Sequence, residues 1–132
     1  MSAYSTLNQE FSTRMFNFEK LETWHEAINF AGWVYQLTRN FPDMERFGLT
    51  NQMRRAAVSI SSNIAEGCSR SSRVDYARFV EIATGSVFEV VSQATIGRNQ
   101  GFLTKAQYQQ LDQAAEKQSR MLSGLRKSLQ SA

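Results

Sequence analysis

Residues 49–67 read LTNQMRRAAVSISSNIAEG, and this stretch decides the fold. Met53, Ala57, Ile60 and Ile64 recur every three or four residues, which places them on one stripe of an α-helix. Gln52, Arg55, Ser59, Asn63 and Glu66 repeat at spacings of 3, 4, 4 and 3, so a polar stripe of small and charged residues runs beside the apolar one. Thr50 is expected as the N-cap, its hydroxyl accepting an unpaired N–H of the first turn. Gly67 is expected to end the helix in the left-handed conformation.

The same period continues on both sides. Upstream, residues 19–41 carry two apolar sets: Leu21, Trp24, Ile28, Ala31 and Tyr35 on one stripe, and Phe30, Trp33, Val34, Leu37 and Phe41 around the side of it. A bundle core needs one such stripe, so the second set predicts a subunit contact built on Phe30, Trp33, Val34 and Leu37. Pro42 separates this helix from the next. Downstream, Ser72 and Asp75 form a capping pattern for a third helix that runs to about Asn99, with Tyr76, Val80, Ala83, Val87, Val90 and Ala94 as its stripe. The β-branched run Val87 to Val91 suits a strand by itself, but the longer period on either side predicts helix. Gly101 is the expected stop. Thr104 and Gln107 cap a fourth helix with the cleanest period of all, Tyr108, Leu111, Ala115, Gln118, Leu122, Leu125 and Leu129. Four long helices with short connections predict an all-α fold, an antiparallel up-and-down four-helix bundle over residues 18–132. Residues 1–17 lack a firm period and are expected to be a flexible arm.

A chain of 132 residues fits one domain, and 42% hydrophobic residues suffice for its core. One cysteine, Cys68, precludes an intramolecular disulfide and fits a reducing, cytoplasmic setting. The first residues lack the pattern of a secretory signal, and no apolar run approaches a membrane span. The net charge is +3, and the basic residues gather in two segments. Residues 54–78 hold five basic and two acidic side chains; residues 98–132 hold six and two. Such an excess favours a polyanionic partner.

Chemistry that needs a convergent set is poorly served. One His and one Cys, His25 and Cys68, cannot make a zinc site in one subunit. The pair Glu22 and His25 has no second Glu-x-x-His to complete a carboxylate di-metal bundle. Cys68 has no sequence-adjacent base, and no phosphate-cradling glycine loop is present. No catalytic residue, metal or cofactor is therefore expected. The set Gln52, Arg55, Ser59, Asn63, Glu66 and Gly67 reads as a structural polar network.

The run Phe47 to Gly67 resembles the four-helix-bundle family, also called the ribosomal RNA intervening-sequence protein family. Phe41, Pro42 and Glu45 match its Phe-Pro-x-x-Glu turn, Gln52, Arg55 and Ala56 its Gln-x-x-Arg-Ala start, and Ser59 to Gly67 its Ser-Ile-x-x-Asn-Ile-Ala-Glu-Gly ending. Arg70, Tyr76, Phe79, Ala83, Gly85, Ser86 and Glu89 continue the pattern. The resemblance covers residues 18–128. Two positions depart from it: Ser61 where proline is usual, and Val90-Val91-Ser92-Gln93 where a Leu-x-Thr-Gln run is usual, the latter bearing on the packing of helix three. The resemblance implies an antiparallel bundle assembled as a ring-shaped homopentamer. Some bacterial members are encoded within insertions of ribosomal RNA genes. The accessory variability determinant of diversity-generating retroelements is similar; it binds nucleic acid on a basic surface and associates with a reverse transcriptase.

The leading expectation is a non-enzymatic homo-oligomer that binds RNA or DNA weakly through Arg70, Arg73, Lys117, Arg120, Arg126 and Lys127. A second is an assembly module that acts through a protein partner without nucleic-acid affinity. A third, an enzyme, requires Arg55, Asn63 and Glu66 to converge on a water-accessible pocket.

Overall fold

The computed structural model describes residues 16–130. Of the expected arm, residues 1–15 lie outside the described residues, while Asn17 opens a short 3-10 turn, Asn17–Lys20, that packs on the bundle. Four helices follow: α1 (Glu22–Thr38), α2 (Leu49–Cys68), α3 (Arg73–Asn99) and α4 (Lys105–Gln130). A second 3-10 turn, Asp43–Glu45, lies between α1 and α2.

Side-chain contacts give the direction of each helix. Ser59 and Cys68 of α2 meet Ser86 and Tyr76 of α3, so the two run antiparallel. Thr95 and Glu81 of α3 meet Tyr108 and Arg126 of α4, again in opposite order. Thr23 and Glu26 of α1 meet Gln118 and Lys117 of α4, which closes the square. Each helix touches its two neighbours and none crosses the diagonal, as an up-and-down bundle requires. The α1–α2 and α3–α4 connections share one end, here the loop end. The α2–α3 connection and the last turn of α4 lie at the other, the terminal end.

Each boundary has a local cause. Leu49 N–H donates to Glu45 Oε1 at 3.1 Å, so a carboxylate from the preceding turn caps α2. Thr50, expected as the cap, is instead buried in the first turn. Ser72 Oγ accepts from Asp75 N–H at 3.1 Å, as expected for α3. At α4 both halves of the capping box form: Gln107 N–H donates to Thr104 Oγ1 at 3.1 Å and Thr104 N–H to Gln107 Oε1 at 2.9 Å. Gly101, at φ +81°, takes the left-handed turn after α3. Helix α1 ends at Thr38, three residues short of the expected limit, with Arg39 as a C-cap of helical backbone. Gly67 does not end α2. It is helical, and its role is close approach: a Cβ there would sit 2.9 Å from Tyr76 Cδ1 and 3.0 Å from Phe79 Cβ.

The core is continuous from end to end, with Met53, Ile60 and Ile64 of α2, Val80, Val87 and Val90 of α3, and Leu111 and Leu122 of α4 at its centre. Phe41 and Phe102, 5.5 Å apart, seal the loop end. Phe18 against Trp24, at 4.9 Å, covers α1 at the terminal end. Helix α1 turns the opposite way from expectation. Phe30, Val34 and Leu37, predicted at a subunit contact, are buried in the protomer's own core, and Trp33 packs partly against it. The other set, Trp24, Ile28, Ala31 and Tyr35, is the half-exposed one. Gln118, placed on the apolar stripe of α4, is fully buried; its Nε2 donates to Thr23 O at 3.2 Å while its Oε1 has no partner.

Candidate nucleic-acid interface

The polar stripe of α2 divides into three parts. At its centre, Asn63 Nδ2 donates to Ser59 O at 2.8 Å and to Ser59 Oγ at 2.9 Å, and Ser59 Oγ meets Ser86 Oγ at 2.9 Å. These small polar groups satisfy one another where α2 and α3 press together, which is a structural task. Glu66 points the other way, to Arg70 Nη2 at 3.2 Å. Gln52 and Arg55 open onto a shallow groove of ≈ 390 Å³ with Ser59, Glu89 and Gln93. Arg55, Asn63 and Glu66 thus engage three different surroundings and do not converge, so the arrangement lacks the geometry of a catalytic set.

Cys68 lies in the last turn of α2. Its Sγ is 2.9 Å from Tyr76 Oη. Burial pushes the Tyr76 hydroxyl well above the usual tyrosine range, and the contact with Cys68 adds to the shift. His25 Nε2 is 2.6 Å from the carbonyl of Glu19, tying α1 to the preceding turn. No group of three or more His, Cys, Asp or Glu side chains is arranged to hold a metal among the described residues. No described helix is long and apolar enough to cross a membrane.

The six cations expected to bind nucleic acid fall into two places. Arg70, Arg73, Arg126 and Lys127 belong to the terminal end. Arg126 pairs with Glu81 of α3 at 2.6 Å, and Arg70 lies over the Phe79 ring at 4.6 Å while pairing with Glu66. Arg73 lines a groove between α3 and the last turn of α4. Lys117 and Arg120 lie further along α4, held to Glu26 at 3.3 Å and Glu116 at 3.0 Å. Three of the four pairs are well exposed on both sides, while Glu26 of the fourth is partly buried, and exposed pairs contribute only about 0–1 kcal/mol each. Their cations are therefore available to a denser anion.

Basic charge also lies outside these positions. Arg39, Arg46, Arg54, Arg55, Arg73, Arg78 and Arg98 make no ion pair, seven of the ten described arginines. Four of the seven, Arg39, Arg46, Arg54 and Arg55, collect along the α1–α2 seam towards the loop end. Segment charge counts did not single out Arg39 and Arg46, because these two fall in a stretch of net negative charge. Only the fold brings them beside Arg54.

A family model described as "23S rRNA-intervening sequence protein" matches residues 19–124. The chain belongs to the 23S rRNA-intervening sequence protein family. The match spans all of α1, α2 and α3 and most of α4. Among solved structures, a protein of unknown function from the S23 ribosomal protein family of Bacteroides thetaiotaomicron is similar, with a TM-score of 0.71 and 21% identity over 80% of this chain and 98% of that one. At that identity the likeness shows the shared bundle fold. No curated protein matches. Neither the intervening-sequence protein family nor the solved neighbour is described as an enzyme.

Proposed function

We propose that this member of the 23S rRNA-intervening sequence protein family is a non-enzymatic, self-assembling bundle that binds nucleic acid in the cytoplasm through the phosphate backbone. The observation that carries the reading is the surplus of unpaired arginine. Seven described arginines lack a carboxylate partner, and the other three are held by solvated pairs that a polyphosphate displaces at little cost. Arginine suits this task because its planar fork meets phosphate oxygens in pairs.

Self-assembly into a ring, the pentamer implied by the family resemblance, is supported by two separate apolar surfaces. One is the α1–α2 flank of Trp24, Ile28, Ala31, Tyr35 and Val58; the other is the outer side of α3, where Ile82, Phe88 and Ile96 are exposed. Two different patches on one chain suit head-to-tail contacts, which close into rings. A ring repeats each weak patch, and avidity then supplies affinity that one bundle lacks.

A mobility-shift titration against labelled RNA and DNA tests the proposal. At about 50 mM salt both are expected to shift, and at about 300 mM the complexes dissociate, since log K falls linearly with log salt. Absence of any shift at low salt overturns it. The runner-up, an assembly module acting through a protein, is favoured by Phe88 and Met44, which are 64% and 85% exposed. Recovery of the protein alone from native lysate counts against that alternative.

A further inference from the structure

Arginines also lie over Phe79 and Tyr108, but those rings are partly buried, whereas at the α1–α2 seam both rings beside the arginines, Tyr35 and Phe47, are exposed. Phe47 is 84% exposed, and the Arg46 guanidinium lies 5.1 Å from its ring centre. The Arg54 guanidinium lies 4.6 Å from the ring of Tyr35, which is itself partly exposed. Arg54 is held in place: its Nε donates to Thr38 Oγ1 at 2.9 Å and its Nη2 to Tyr35 O at 3.4 Å. Arg39, Arg46 and Arg54 together border a hollow of ≈ 230 Å³ floored by Thr38, Phe41 and Pro42. Asp43 is the one carboxylate bordering it, since Glu45 is turned onto the Leu49 N–H.

An exposed phenyl ring standing in solvent next to a guanidinium offers a flat face and a positive charge within one residue. A paired base keeps its faces inside the duplex stack and cannot use that ring. An unpaired base can lie on it while its flanking phosphates reach the arginines. We infer that the α1–α2 seam is a site for single-stranded nucleic acid, with an unpaired base stacked on Phe47 and the adjoining phosphates held by Arg39, Arg46 and Arg54. The inference rests on the nucleic-acid reading above and gives it a location and a strand class.

Fluorescence anisotropy at low salt tests it, with a labelled unstructured 20-nucleotide RNA and the same strand annealed to its complement. Phe47 is exposed, so Phe47→Ala is expected to keep the fold, and circular dichroism checks this. Phe47→Ala is expected to weaken single-strand binding about tenfold and duplex binding by less than about twofold. Arg46→Ala weakens both. Arg73→Ala combined with Lys127→Ala, at the far end, leaves the single-strand preference intact. If wild type binds the single strand and Phe47→Ala binds it equally well, the site is elsewhere and the inference falls, while the proposed function stands. If wild type binds neither probe, the proposed function falls and takes the inference with it. If Phe47→Ala lowers the assembly mass by light scattering, the ring is a contact between copies, and the inference is overturned.

Discussion

Gly67 shows how one residue carries a packing decision. A methyl group there would press on the Tyr76 ring and the Phe79 Cβ at 2.9–3.0 Å, and the second of these is anchored to the α3 backbone. Gly67→Ala is therefore expected to lower stability by about 1–3 kcal/mol in urea denaturation, although alanine favours helix. The packing that Gly67 permits also buries Tyr76. Its hydroxyl is held above the ordinary tyrosine pKa, so the folded chain keeps that proton longer than the unfolded chain does. This contribution is fully present below about pH 10, the unfolded value, and is lost as pH rises towards the folded one. Melting temperatures measured from pH 8 to 11 should fall at the alkaline end, and more shallowly in Tyr76→Phe. Equal slopes in the two proteins would remove Tyr76 as the cause. Sequence alone marked Gly67 as important but assigned it the wrong task. Glycine after a helical run signals a stop, and only the approach of α3 shows that the missing side chain is what matters.

At the scale of elements, most of the fold was legible. Four helices, their order and the β-branched stretch of α3 all follow from period, since Val87 and Val90 point into the core at helical spacing. Caps were legible where both partners are local. Thr104 and Gln107 are three residues apart and satisfy each other, so Thr104→Ala is expected to cost about 1 kcal/mol, read by the same denaturation measurement. The α2 cap was not legible, because Glu45 reaches it from the neighbouring turn across Gly48. The two faces of α1 were both found, but the one assigned to a subunit contact is the one that fills the core. Periodicity locates a stripe but does not say which stripe meets the neighbouring helices. Spacing put Trp24 on the stripe left to face the core. In the fold, Trp24 packs under Phe18 of the preceding turn, and the slimmer Val34 takes the centre. The basic site was legible only in part for a related reason. Arg54 and Arg55 stood out in a positive segment, whereas Arg39 and Arg46 belong to a net acidic one and join them only through the antiparallel pairing of α1 with α2.

For the whole molecule, the account joins self-assembly to polyanion binding. In the proposed assembly, apolar flanks on α1–α2 and on α3 would supply the contacts between copies, leaving unpaired arginines to face outward. The solvated ion pairs mean that salt acts on the ligand far more than on the fold. Size-exclusion chromatography with light scattering, run with and without RNA, tests this most directly. The account predicts a mass several times the 15.0 kDa protomer, rising further with RNA at low salt and returning to the protein-only value at high salt. A 15.0 kDa species whose mass RNA does not change at any salt concentration would contradict it.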